Sequence, residues 1–144
     1  MVDSTRQRVG RPSGRGTSST IAGRSGLRYL GALGVAAVGA IHLQRYAGAG
    51  YSTIPKIGPL FLANAISSGL VALLLLVGDF AFAAVGGIAI AAGSLVALFI
   101  SEGSGLFGFM EAGYSTPIVL SIVAETATIL ILGAYLAVRV AARR

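Results

Sequence analysis

Four long apolar runs limit what this chain can fold into more than any other feature. They are LRYLGALGVAAVGAIHLQ (Leu27 to Gln44), GPLFLANAISSGLVALLLLV (Gly58 to Val77), FAFAAVGGIAIAAGSLVALFIS (Phe80 to Ser101) and PIVLSIVAETATILILGAYLAV (Pro117 to Val138). A helix of about 20 residues crosses the ~30 Å hydrocarbon layer of a bilayer. Backbone groups in lipid must be satisfied within their own segment, so each run is expected to be a spanning helix. The first run is the weakest, because only Tyr29 to Leu43 lacks a strong charge and that stretch includes His42. Of 144 residues, 55% are hydrophobic and 11% charged, whereas soluble domains carry about 25% charged residues. A chain this short cannot hide so much apolar surface in one core, so the excess must face lipid. The expected fold class is all-α, a transmembrane four-helix bundle over residues 26–140.

The flanks differ sharply from the runs. Residues 1–25 are rich in Arg, Ser, Thr and Gly with little apolar content, which is the composition of a disordered tail. No small-residue cleavage signal follows the first run, so that run is expected to remain as a span. Residues 141–144 form a second short basic tail. Nine arginines lie in the two tails: Arg6, Arg8, Arg11, Arg15, Arg24 and Arg28 before the first span, and Arg139, Arg143 and Arg144 after the fourth. Only Arg45 and Lys56 lie in the loops that the tails do not share. Four crossings put both tails on one side, and their positive charge makes that side cytoplasmic in a plasma membrane. This placement also explains the net charge of +6 without nucleic acid as a partner. The segment between the second and third spans is little more than Gly78-Asp79, a tight turn.

One pentapeptide occurs twice. Ala49-Gly50-Tyr51-Ser52-Thr53 and Ala112-Gly113-Tyr114-Ser115-Thr116 are identical, both fall on the loop side away from the tails, and a proline follows each. Two helical-hairpin repeats, related by an axis along the membrane normal, would place the copies this way. Chance matching in a chain rich in Gly, Ala and Ser is the bland alternative. Small residues at every fourth position predict close helix packing in lipid: Ala32, Ala36 and Ala40 in the first span; Ala83, Gly87 and Ala91 on one face of the third, and Ala89, Gly93 and Ala97 on another. In an alanine-rich chain each such triplet is also ordinary filler.

Polar residues within the spans are few. Glu125 lies deep in the fourth span, where a charge costs about 2.5–3.5 kcal/mol on insertion scales, and such a residue is a functional candidate by default. Ser121 and Thr128 share its face at i−4 and i+3. The alternative is a hydrogen-bonded acid that glues helices together. Asn64, Ser67 and Ser68 sit at similar depth in the second span, and interhelical hydrogen bonding is their commonest role. His42 is the only histidine; it could ligate a metal or haem, or relay protons, although one histidine without any cysteine is a poor metal-ligand set. Glu102 and Glu111 flank GSGLFGFM, a loop expected to dip into the membrane interface. No phosphate-binding glycine loop, HExxH, GxSxG or triad is present.

The blocks IHLQRY, IPKIGPLFLANAISS and GLFGFMEAGYS resemble those of small four-span membrane proteins of actinobacteria. The resemblance covers about residues 27–138, with His42, Tyr46, Pro55, Gly58, Phe61, Asn64, Gly105, Gly108 and Glu111 as the matching positions. It implies a membrane location and supplies no activity and no cofactor.

The expected function is a non-enzymatic membrane protein whose outward polar cluster (His42, Asn64, Glu102, Glu111 and Glu125) binds a proton, a metal ion or a small lipid-soluble molecule such as a quinone. Its expected partners are the bilayer, other membrane subunits or a second copy. The rival expectations are an oligomeric proton or cation transporter using Glu125, and an oxidoreductase component with a borrowed cofactor at His42.

Overall fold

The computed structural model describes residues 15–111 and 113–144, with side chains described from Ala22 onward. Four helices are present: α1 (Arg15–Gly48), α2 (Ile57–Val77), α3 (Ala81–Gly103) and α4 (Thr116–Ala141). All four are long and apolar enough to cross a membrane, α1 over its described stretch Ala22–Gly48. The fold is an all-α four-helix bundle.

One boundary departs from expectation. Residues 15–25 belong to α1 rather than to a disordered tail, and the remainder of that segment, residues 1–14, lies outside the described residues. Once a helix is nucleated, each added residue gains a hydrogen bond for one residue fixed. No proline occurs between Pro12 and Pro55 to stop it.

The helices form a ring in chain order. α1 packs extensively on both α2 and α4 and touches α3 briefly, while the backbones of α2 and α4 stay apart across the bundle. α2 and α3 share only a three-residue turn, Gly78 to Phe80, yet pack together least among neighbours. Large side chains such as Leu33, Leu70, Phe82 and Leu130 point outward, where lipid meets them as favourably as a core would. Small residues sit inside and set how closely the helices approach. A Cβ on Gly39 of α1 would lie 2.8 Å from Ser68 Cβ on α2, and one on Gly34 would lie 2.6 Å from Thr128 Oγ1 on α4. On α3, a Cβ at Gly87 would lie 2.7 Å from Leu132 Cδ1 and 2.9 Å from Val35 Cγ2.

The alanine spacing of α1 misleads. Ala32 is buried, but Ala36 and Ala40 are exposed on the outer face. Four residues advance 400°, so every fourth position drifts about 40° around the helix, and by Ala40 the stripe has left the interface. The inward face of α1 is Ala32, Val35, Val38, Gly39 and His42. On α3 the face of Ala83, Gly87 and Ala91 is buried, whereas Ala89 and Gly93 are exposed.

The half of the bundle nearer the termini is solid. Ala32, Val35, Ala72, Leu75, Ala83, Ala84, Leu132 and Tyr135 make a continuous core there. Below it, Asp79 in the α2–α3 turn ties three elements together. Its carboxylate meets Arg24 of α1 at 3.1 Å, and also Arg139 and the Tyr135 hydroxyl of α4. Arg139 Nη1 also donates to the Asp79 carbonyl at 2.9 Å. The Tyr135 hydrogen bond, with the Arg139 and Arg24 charges, holds the Asp79 carboxyl below its usual range. The turn foreseen from Gly78-Asp79 is thus also a clasp.

The repeated pentapeptide shares one property in its two places. Gly50 and Gly113 both adopt left-handed φ, 81° and 72°, which glycine reaches without a Cβ clash. Beyond the glycine the copies diverge. Tyr51 opens a 3₁₀ turn (Tyr51–Thr53) and is buried, while Tyr114 is 66% exposed and Ser115 takes the N-cap position of α4 without a side-chain capping hydrogen bond. Identical letters here encode a common turn entry, and nothing further supports a duplicated hairpin.

Candidate functional site

The loop-end half of the bundle is hollow. A cavity of about 380 Å³ lies between the helices there, walled by all four of them and roofed by the two connections. Here α2 and α3, the least packed of the neighbouring pairs, meet through Ala89, Gly93 and Ala97, which offer too little side chain to fill the gap. Leu60 and Ala63 of α2 and Ala89 and Gly93 of α3 line the cavity and also reach the outer surface, so it opens sideways between these two helices. The floor is the tight packing around Gly87, Val35, Val71 and Leu132.

Glu125 is the deepest acid in the cavity wall, and the residue is 1% exposed. Ser121 Oγ, one turn earlier on α4, donates to Glu125 Oε1 at 3.1 Å. Glu125 Oε2 is buried without any hydrogen-bond partner, an arrangement that costs the full desolvation of that oxygen unless something fills it. Thr128, on the same face, spends its hydroxyl on the Ala124 carbonyl at 2.7 Å. Across from Glu125, His42 Nδ1 lies 2.9 Å from the Val38 carbonyl. A carbonyl can only accept, so Nδ1 carries the proton and Nε2 offers its lone pair in the neutral ring. His42 Nε2 stands 3.9 Å from Glu125 Oε1, too far for a direct hydrogen bond.

Aromatic rings continue the wall toward the loops. Phe61 of α2 sits between His42 and Tyr51, at centroid distances of 4.9 and 4.8 Å, and Phe109 packs edge-on to Tyr51 at 5.7 Å. At the rim, Arg45 donates to the Tyr51 hydroxyl at 2.6 Å, and that hydroxyl donates to Glu111 Oε2 at 2.5 Å. Burial, reinforced by the Glu111 hydrogen bond, pushes the Tyr51 hydroxyl up from its ordinary pKa. Glu111 is held in turn by its backbone N–H donating to Ser101 Oγ at 3.1 Å. The roof is a miniature hairpin in which Leu106 and Phe109 exchange backbone hydrogen bonds of 2.7 and 2.9 Å around Phe107-Gly108. Both central residues have positive φ, 54° and 84°, as a type I′ turn requires, with Gly in its favoured second place.

Asn64 bridges the open side. Its amide donates to Ser94 Oγ of α3 at 2.5 Å and its carbonyl accepts from Ser68 Oγ at 3.1 Å. Its partners therefore lie on α2 and α3, not on α4 beside Glu125.

Of the five polar residues grouped from sequence, His42, Asn64, Glu111 and Glu125 line this cavity. Glu102 does not. It lies in an adjoining open groove with Phe99, Gly103, Gly113 and Tyr114, where Glu111 also forms part of the wall. Glu102 Oε1 is buried without a partner, and the Glu102 hydrogen bond pushes the Tyr114 hydroxyl up in pKa. Helix periodicity could not separate Glu102 from Glu111, because the hairpin between them decides which acid turns inward. Sequence reasoning gave no site role to Arg45, Tyr51, Phe61, Ser94 and Ser101. Arg45 carried a usable signal as the only arginine outside the basic flanks. Among the described residues no three His, Cys, Asp or Glu side chains cluster as a metal site; His42 and Glu125 alone supply two donors, so a metal would need further ligands from elsewhere. No protein-family model, curated protein or solved structure matches the chain.

Proposed function

We propose that this is a multi-pass plasma-membrane protein, with both termini cytoplasmic, that binds a small lipid-soluble molecule in the loop-end cavity. It acts as a non-enzymatic binding subunit beside other membrane proteins or a second copy of itself. One observation carries this reading: a largely apolar cavity of about 380 Å³ that opens sideways and ends on an unpartnered buried carboxyl oxygen of Glu125. Pockets of this size, apolar with a few convergent polar groups, suit small organic ligands. The sideways opening lies on surface that the apolar helices would present to lipid, so a membrane-dissolved molecule could enter without crossing water. Glu125 Oε2 and His42 Nε2 would hold its polar end.

A through-path for protons or cations is less well supported. Below Glu125 and Thr128 the interior is Val35, Leu132, Leu75 and the small residues packed with them, and among the described residues no polar group lies there above Tyr135 and the Asp79 clasp to carry an ion. A cofactor-bearing role for His42 would rest on the same free Nε2, but only two donors are at hand.

The test is retention. Protein reconstituted in nanodiscs should hold a small molecule, releasable by organic solvent, in amounts comparable to the protein. Gly93→Leu, which adds a side chain where a Cβ meets nothing within 4 Å, should displace it. Retention no greater than in empty nanodiscs would contradict the proposal.

A further inference from the structure

We propose that the occupant is a lipophilic organic cation of single charge, such as a substituted amine or phosphonium, and that Glu125 gives up its proton in exchange. This rests on the cavity being a ligand site, as proposed above, and adds the charge class of the ligand.

Two features point to a cation, and a third to its solubility in lipid. The first is the unsatisfied acid. Glu125 Oε2 has no donor, and the one guanidinium lining the cavity, that of Arg45, is committed to Tyr51. The titratable groups facing the space are His42 from α1, Arg45, Tyr51 and Glu111 at the rim, and Glu125 from α4; α2 and α3 contribute only uncharged Asn64, Ser67, Ser94 and Ser101. With both acids ionised and His42 neutral, Arg45 offsets one acid and a single negative charge remains. A buried charge without a partner neutralises itself by taking up a proton, so the empty site holds one proton that a cation can replace.

The second feature is the ring wall. His42, Phe61, Tyr51 and Phe109 form a continuous aromatic surface running from beside Glu125 to the rim. Ring faces attract cations, most strongly when water is excluded. The site already shows this behaviour, because the Arg45 guanidinium lies 4.5 Å over the Tyr51 ring. The third feature is the way in: the opening between α2 and α3 suits molecules that dissolve in lipid. A neutral donor could hydrogen-bond to Oε2 but would leave the carboxylate charge unpaired, and it would draw nothing from the rings beyond apolar contact. A lipophilic cation satisfies both.

The exchange is balanced. The Glu125 carboxylic acid loses a proton to water at the loop end, and the carboxylate left behind pairs with the incoming cation. No bond to the ligand forms and no electrons move.

The experiment titrates tetraphenylphosphonium into the full-length protein in detergent, weakly buffered with a pH indicator, with menadione as a neutral probe in parallel. Expected are release of about one proton per cation bound and affinity that rises with pH, by about tenfold per unit while the site is protonated. Glu125→Gln should abolish cation binding, while Glu125→Asp should keep proton release at lower affinity. Glu102→Gln, outside the cavity, should change neither. The wild-type proton count decides the matter even if the Gln variant fails to fold. Cation binding without proton release, or equal binding to Glu125→Gln, would overturn the proposal. Menadione binding without cation binding would overturn it while leaving the cavity a ligand site. Binding of neither probe would remove both.

Discussion

A single methyl group, added at two places on α3, tests the packing that creates the site. Gly87 and Gly93 lie six residues apart on one helix, and both were small-residue packing candidates. At Gly87 a Cβ would stand 2.7 Å from Leu132 Cδ1, 2.9 Å from Val35 Cγ2 and 3.5 Å from Val71 Cγ1. At Gly93 it would meet nothing within 4 Å. Gly→Ala gains about 0.8–1.0 kcal/mol of helix propensity in water at either place. Whatever that gain becomes in lipid, it cancels when the two variants are compared. What remains is the cost of moving two side-chain tips in a filled core, about 1–3 kcal/mol for overpacking. Gly93→Ala should therefore exceed Gly87→Ala in stability by about 1–3 kcal/mol. Reversible unfolding in mixed micelles with increasing dodecyl sulfate, followed by far-UV circular dichroism, measures the difference. Equal stabilities, or Gly87→Ala the more stable, would mean that Gly87 does not face Leu132 and Val35, and the floor of the cavity would be wrong.

Leu132→Ala, at a fully buried position, should cost about 2–5 kcal/mol in the same assay, whereas Leu130→Ala, 67% exposed, should stay within about 0.5 kcal/mol of wild type. Asp79 has a folded-state pKa below its unfolded value, so its contribution is present above about pH 4 and is lost as pH falls through the folded value. The stability gap between wild type and Asp79→Asn, read across pH 3 to 7, should therefore shrink at the acidic end; a gap that widens there would refute the clasp. Reporter fusions at Arg144 and within residues 103–110 should lie on opposite sides of the membrane, and a C-terminus outside the cytoplasm would overturn the orientation.

The bundle was legible because lipid leaves so few options: four apolar runs bounded by charge and turn residues had to be four helices. The start of α1 was not legible, because residues 15–25 join it by propagation from a nucleated span rather than by any apolar signal of their own. Its packing face was hidden for a related reason. Alanine and glycine occur on every side of α1, so spacing alone picked Ala36 and Ala40, while the buried side is marked by Val35, Val38 and Gly39. Glu125 stood out because a charge inside an apolar run is costly wherever it points. Its surroundings did not stand out: His42, backed by Phe61, comes beside it only through the tertiary arrangement of α1, α2 and α4. Tyr51 and Tyr114 share their local sequence yet differ from buried to exposed, which no local reading could separate. The Asp79 clasp joins residues 56 and 60 positions apart, and the sequence offered only a lone acid in a short turn.

On the proposed function, Glu125 ends a ligand-binding cavity rather than serving only to hold helices together. Labelling by dicyclohexylcarbodiimide, a lipid-soluble reagent for protonated carboxyls in apolar surroundings, tests it directly. Modification mapped by mass spectrometry should fall on Glu125, should spare the Asp79 clasp, and should slow when tetraphenylphosphonium or menadione occupies the cavity. A Glu125 that stays unmodified, or one labelled at the same rate whatever the cavity holds, would contradict the claim.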